Sequence, residues 1–269
     1  MENPKDYAYI PATIYDNTVL RKADPTYEMR LQNLPEEEKK AYLLGDWNVF
    51  KGQYFKAWRN DVHIIEPFAI PWNWEKCICL DYGYTNPSAV YWLAKNEDGV
   101  IFVYREIYVT KFLYDELVAE IVRLNKEDIR TLIADPALQT KSPDSNISFF
   151  DVASRAGFDI IPGINDRVPG WNLFKSLLEV YEDEKKGLTT MIYFFSTCVN
   201  AIRTIPTLIH DERNVEDLNS DGEDHSADSI RYGLNWIAQK IDSLLALASS
   251  NSKKLESRQK KVVLLKKRF

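Results

Sequence analysis

The chain has 269 residues, of which 45% are hydrophobic and 28% are charged, an ordinary composition for a globular protein of one large domain or two small ones. It contains no apolar stretch near the roughly 20 residues that span a bilayer, and its polar N-terminus lacks an apolar signal region, so we expect no membrane partner. The three cysteines are an odd number that argues against a disulfide framework, which favours a reducing cytoplasm. The three histidines are few enough to disfavour a zinc site.

The net charge of −6 is unevenly distributed along the chain. Residues 253–269 contain eight Lys and Arg against one acid, a sum of 8 − 1 = +7, so the rest of the chain carries −6 − 7 = −13. Charge runs are usually solvated, and we interpret residues 251–269 as a basic C-terminal tail, with DNA or partner binding as the second interpretation. An acidic body still permits a DNA partner if divalent cations neutralise a carboxylate site.

Residues 1–60 predict two short helices and a connecting segment rich in aromatic residues, without the makings of an independent domain. From 61 to about 250 the pattern is typical of a mixed α/β sheet, with hairpin-connected strands first and alternating helices and strands afterwards. Strands are predicted at 77–81, 89–94, 100–108, 131–134, 160–162 and 191–195, and helices at 113–125, 147–156, 171–186, 199–209 and 226–237.

Two of the predicted strands end in an acid. Asp81 closes the apolar run 77–80 and precedes a Tyr-Gly turn, and Asp135 closes the run 131–134 and precedes Pro136. A carboxylate at the tip of a buried strand is held on a rigid element, although either residue could serve only as a turn former.

A predicted helix supplies two more acids, Asp224 and Asp228, one turn apart. They lie on the polar edge beside an apolar stripe of the helix, and Arg231 shares that edge. Asp224 could instead cap the helix. His225 points further round, and it is either a hydrogen-bonding surface residue or an auxiliary group beside the site.

Carboxylates at two strand ends and one helix start are the ligands that hard divalent cations prefer. Phosphodiester hydrolysis suits two such ions, because one activates the attacking water and the other stabilises the leaving oxygen. The sequence therefore predicts a site for two Mg²⁺ or Mn²⁺ ions.

The segments 80–83, 133–136 and 224–232 resemble, in order and spacing, the nuclease motifs of the large terminase subunits of tailed bacteriophages. The segment from Tyr15 to Trp47, with Leu34-Pro35-Glu36 in it, looks like the stretch that joins the packaging ATPase of that family to its nuclease domain. The resemblance extends to about Trp236. The helix motif 224–232 is fairly specific for this family. Each strand motif alone is a weak indication, and the two support the resemblance only in combination.

The resemblance implies an RNase H-like fold and a two-metal endonuclease that cuts concatemeric double-stranded DNA with little sequence preference. By position, Asp81 would bridge both ions, Asp135 would hold one, Asp228 would complete the set, and Asp224 would be a less certain fourth ligand. It also implies partners: DNA, the portal and procapsid, the small terminase subunit and the packaging ATPase domain, in the host cell cytoplasm. Residues 1–60 would then be the linker from the ATPase region and residues 61–250 the nuclease domain.

One departure from the family is the lack of a Gly-x-x-x-x-Gly-Lys-Ser/Thr motif, so we expect no ATPase activity in this chain.

Three other interpretations stay open. The segment 81–86 also resembles the first phosphate loop of actin-like and Hsp70-like ATPases, although a second glycine-rich loop is missing. Another RNase H-fold nuclease, such as a resolvase or transposase, and a non-catalytic docking module are the remaining two.

Backbone contacts to DNA are expected from Lys and Arg near the cleft, and such contacts depend on salt and carry little sequence information. The candidates are Arg231 on the helix edge and Lys141 in the polar loop 139–146, which follows Asp135. A long charged side chain on a helix edge is more often only solvated, so both are hypotheses.

Overall fold

The computed structural model describes residues 13, 15, 17, 22, 24, 27, 31, 52–142, 146–185, 187–211, 214, 216–219 and 222–240. The two short helices predicted before residue 51 fall almost wholly outside these residues, and the basic tail 251–269 falls wholly outside them. The division of the chain at residues 60 and 250 therefore stays a prediction.

Within the described part of the chain, seven strands form one mixed sheet, as the alternation of elements in the sequence predicts. They are β1 (Ile64–Ile65), β2 (Glu75–Asp81), β3 (Ser88–Lys95), β4 (Ile101–Val109), β5 (Thr131–Ala134), β6 (Asp159–Pro162) and β9 (Ile192–Phe195), and β7 (Tyr181–Asp183) and β8 (Gly187–Thr189) form a separate hairpin. The order across the sheet is β1-β9-β4-β3-β2-β5-β6. The predicted α/β class is confirmed.

The pairing of these strands follows from their connections. Short turns make β2, β3 and β4 an antiparallel meander, whereas helical crossovers make β2, β5 and β6 parallel neighbours. The carboxyl ends of β2, β5 and β6 therefore lie at one edge of the sheet. This edge is where an α/β protein places its ligands.

The helices that flank the sheet are α1 (Asn60–His63), α2 (Tyr114–Leu124), α3 (Phe149–Arg155), α4 (Arg167–Leu178), α5 (Val199–Thr204) and α6 (225–240). Helix α6 approaches the sheet closely at Gly233, where an added Cβ would lie 2.9 Å from Leu93 Cδ2 and 3.1 Å from Cys79 Sγ. Its apolar residues Ala227, Ile230 and Leu234 are buried there, as the helical spacing predicts. None of the described helices is both long and apolar enough to cross a bilayer.

Two predicted helices end earlier than expected. Helix α4 ends at Leu178 and not near 186, because the Leu178 carbonyl bonds to His63 Nε2 at 2.9 Å and the chain then turns into the β7–β8 hairpin. Helix α5 ends at Thr204 and not at 209, because a 3₁₀ turn containing Pro206, which lacks an N–H, follows it.

The aromatic residues before β1 belong to the core of this domain. Tyr54, Phe55 and Trp58 are all buried, and the Phe55 ring lies 4.8 Å from the ring of Phe174 on α4. The Tyr54 N–H also donates to the carbonyl of Leu208 at 2.8 Å. Residues 52–58 are thus packed against α4 and the segment after α5.

Candidate active site

Adjacent parallel strands bring the first two predicted acids together. The register pairs Leu80 with Ala134, so Asp81 and Asp135 are the next residues on β2 and β5. Neighbouring strands are about 4.8 Å apart, which places the two backbones side by side at the edge of the sheet. Both acids thus leave rigid strands at one point.

Helix α6 brings Asp228 to the same edge. Asp81, Asp135 and Asp228 line a single open cleft of about 320 Å³. The other residues that line this cleft are Asn165, Arg167, Arg231 and Tyr232. Residues distant in the chain therefore converge on one acidic cleft, as the sequence predicts.

A separate partner orients the carboxylate of Asp135. Its Oδ1 accepts the Ala137 N–H at 2.7 Å, and its Oδ2 accepts the Tyr232 hydroxyl at 3.2 Å. Gly163, which follows β6, makes room for that tyrosine, since a Cβ there would lie 2.3 Å from Tyr232 Cδ1. Gly163, after β6, thus leaves space for Tyr232, which orients Asp135 at the end of β5.

The other two acids have partners on α6. Asp81 Oδ2 lies 2.8 Å from His225 Nδ1. Asp228 Oδ1 accepts from Arg231 Nε at 3.1 Å and from Arg231 Nη2 at 2.6 Å. The Arg231 side chain is only 1% exposed, so it forms a buried ion pair with Asp228.

The electrostatics of the cleft are those of crowded, partly buried acids. Burial raises the pKa of Asp81, and the charges of Asp228 and Asp135 raise it further. Burial and the charge of Asp228 raise the pKa of Asp224 to about 7. The hydrogen bond to Asp81 raises the pKa of His225. These shifts mean that the cleft favours added positive charge.

The donor set fits a hard divalent cation, because the acids of the cleft offer carboxylate oxygens. As they stand, however, no group of three or more His, Cys, Asp or Glu side chains in the described part of the chain is arranged to hold a metal ion. In the present arrangement His225, Tyr232 and Arg231 each contact one of the carboxylates. An ion would have to draw these carboxylates toward a common point.

The remaining predicted residues take different positions. Asp224 precedes α6, its carbonyl accepts the Asp228 N–H at 2.9 Å, and its Oδ2 lies 3.5 Å from Arg167 Nη2. Lys141 is exposed beyond the 3₁₀ turn that follows Asp135. Arg231 lines the cleft but is engaged with Asp228 and with the Ile164 carbonyl. The metal-binding and DNA-binding roles of all these residues stay predictions.

The sequence interpretation missed three residues of the cleft, Asn165, Arg167 and Tyr232. Arg167 begins α4 directly after β6, and β6 is the third parallel strand that ends at this edge. The usable signal was therefore the loop after the 160–162 strand, which parallel pairing brings beside the loop after Asp135. Tyr232 lies four residues after Asp228, on the same face of α6.

Solved structures of two phage proteins share this fold. The chain is similar to the large terminase of the thermophilic bacteriophage D6E, with a TM-score of 0.54 and 22% identity over 84% of this chain and 54% of that one. It is also similar to the P22 large terminase nuclease domain, with a TM-score of 0.55 and 16% identity over 71% of this chain and 93% of that one.

The chain spans about half the length of the D6E protein. No protein-family model matches the sequence, and no curated protein matches it either. The predicted resemblance to phage large terminases is confirmed at the level of the fold, which is that of the terminase nuclease domain.

Proposed function

We propose that this chain, which has the fold of a phage terminase nuclease domain, is a divalent-metal-dependent endonuclease of a DNA-packaging terminase. The observation that carries the proposal is the convergence of Asp81, Asp135 and Asp228 on one cleft at the carboxyl edge of the sheet. The proposed substrate is concatemeric double-stranded DNA, whose phosphodiester bonds are hydrolysed with little sequence preference.

We assign the metal ligands to Asp81, Asp135 and Asp228, with Asp224 as a fourth. Two Mg²⁺ or Mn²⁺ ions, when bound, supply Lewis-acid stabilisation of the attacking and leaving oxygens. The crowding of acids supports this assignment, because burial first, and then the charges of Asp228 and Asp135, raise the pKa of Asp81.

The surrounding residues hold the acids in place. Tyr232 donates its hydroxyl to Asp135, and Arg231 donates two N–H groups to Asp228. Asp228 keeps one oxygen, Oδ2, that Arg231 does not contact. Such outer contacts orient ligands and set their basicity. His225 contacts Asp81 as Tyr232 and Arg231 contact their acids, and we propose it as an auxiliary group.

DNA binding is proposed to be electrostatic. Lys141, in the loop that follows Asp135, is exposed and is therefore the more accessible of the two predicted contacts, since Arg231 is 1% exposed. Binding through phosphates falls steeply as salt rises. The proposed setting is the portal of a procapsid in the host cell cytoplasm, with a packaging ATPase and a small terminase subunit as partners.

The test is cleavage of supercoiled plasmid by the purified chain with Mn²⁺ or Mg²⁺. Nicked and linear products are expected, and EDTA or Asp81→Asn should abolish them. Asp98→Asn is the matched control, because Asp98 is exposed in the β3–β4 turn at the opposite edge of the sheet. Equal cleavage by Asp81→Asn and wild type would refute the proposal.

The same preparation separates the alternatives. Strong preference for a four-way DNA junction over plasmid would favour a resolvase of this fold. Turnover of ATP without nicking would favour the ATPase interpretation, whereas we expect no ATP hydrolysis because the chain lacks a phosphate-binding Gly-x-x-x-x-Gly-Lys-Ser/Thr loop.

A further inference from the structure

Arg167 is the one cation of the cleft that the proposed chemistry leaves without a role. It begins α4 after β6, and its side chain is 29% exposed. Its Nη2 lies 3.5 Å from Asp224 Oδ2 and 3.8 Å from Asp228 Oδ2. Both distances are ion-pair distances that are too long for a good hydrogen bond.

The Nη2 atom itself is buried, and it has no hydrogen-bond partner among the residues that the structure describes. Buried guanidinium nitrogens are normally satisfied, so an unsatisfied one calls for an explanation. Here the atom is placed between two carboxylates and bonded to neither. The electrostatic attraction is retained, and no directional bond fixes the pair.

The rest of the Arg167 side chain is held firmly. Its Nε donates to Asp217 Oδ1 at 3.2 Å, and the same oxygen accepts Trp171 Nε1–H at 2.8 Å. Its guanidinium carbon lies 5.4 Å from the centre of the Trp171 ring. Asp217 and Trp171 thus hold the guanidinium beside Asp224 and Asp228 without a hydrogen bond to either of those acids.

The two arginines of the cleft contact different oxygens of Asp228. Arg231 bonds to Oδ1, and Arg167 faces Oδ2. Arg231 is 1% exposed and also bonds to the Ile164 carbonyl, so it is part of the structural core of the site. An ion entering the cleft would therefore meet Asp228 at the oxygen that Arg167 faces.

We propose that Arg167 is a positioning residue that acts as the built-in counter-ion of the cleft and competes with a divalent ion for Asp228 Oδ2. This inference rests on the proposed function, because it takes Asp228 as a metal ligand. While no ion is bound, the guanidinium stabilises the crowded acids. Binding of an ion at Asp228 weakens the attraction between Arg167 and the acids. The ion does not have to break a hydrogen bond from Arg167, because Arg167 makes none to Asp228.

The test measures Mn²⁺ binding by calorimetry and by the electron spin resonance signal of free Mn²⁺, without DNA. Arg167→Gln is expected to bind Mn²⁺ about tenfold or more tightly than wild type, because it removes a positive charge about 4 Å from a ligand. Arg123→Gln is the charge-matched control, since Arg123 is an exposed residue of α2 paired with Glu120. This control should bind Mn²⁺ as wild type does.

Arg167→Lys covers the case in which the Gln variant does not fold. It keeps the positive charge but has a shorter reach, so a smaller rise in Mn²⁺ affinity is expected. Unchanged or weaker Mn²⁺ binding by the folded variants would overturn the inference. If the single substitution Asp228→Asn, made in the otherwise wild-type protein, then abolishes Mn²⁺ binding, the proposed function survives. If no form of the protein binds Mn²⁺, both proposals fail.

Discussion

The buried pair of Asp228 and Arg231 makes a prediction that separates stability from catalysis. Asp228→Ala removes the acceptor of two hydrogen bonds, at 3.1 and 2.6 Å, from a guanidinium that is 1% exposed. Asp228→Asn keeps a side-chain oxygen for those bonds but removes the charge. Both variants relieve the repulsion among the acids equally, so the difference between them isolates the two hydrogen bonds.

Two hydrogen bonds to a buried charged group correspond to about 3–5 kcal/mol, so the free energy of unfolding of Asp228→Ala should be lower than that of Asp228→Asn by this amount. The assay is urea unfolding of the metal-free protein followed by tryptophan fluorescence and circular dichroism. Both variants should be inactive on DNA. Equal stabilities of the Ala and Asn variants would refute the reasoning, because Arg231 would then not depend on Asp228.

Three further predictions concern the surroundings of the site. Tyr232→Phe deletes the hydroxyl that orients Asp135, so plasmid cleavage should fall about 10–100-fold while the midpoint of urea unfolding changes little. Gly233→Ala forces a Cβ against the sheet and should lower the free energy of unfolding by about 1–3 kcal/mol, whereas Gly222→Ala, with its nearest contact at 3.7 Å, should not. Burial lowers the pKa of His63, so the unfolded chain binds a proton at a higher pH than the folded chain does. Wild type should therefore lose its stability advantage over His63→Asn as the pH falls below about 6.5. Urea unfolding at a series of pH values measures this difference.

Much of the sheet was predictable because its strands are apolar runs bounded by turn residues. The predicted 131–134 strand coincides with β5, and the 77–81 strand differs from β2 only in its start. The strands β1, β7 and β8 were not predicted, because two or three residues carry no periodicity. The end of α4 depends on His63, which is distant in the chain, and no local pattern could reveal that contact.

The acids of the site were predictable for a similar reason. A carboxylate at the end of a buried strand is unusual, and two such strands whose parallel pairing is expected bring Asp81 and Asp135 together. Parallel pairing could place the loop after the 160–162 strand at this edge, but it could not single out Arg167, since an Arg after an Asp in a loop resembles any solvated cation. Its position arises from the register of β6 and from Trp171 and Asp217, which only tertiary packing brings beside it.

The measurement that tests the central claim most directly is a crystal of the protein soaked in Mn²⁺, with anomalous diffraction recorded at the manganese edge. Two anomalous peaks are predicted in the cleft, within about 2.0–2.4 Å of carboxylate oxygens of Asp81, Asp135 and Asp228. Peaks found only elsewhere on the surface, or a cleft without manganese while the three carboxylates keep their present partners, would contradict the account.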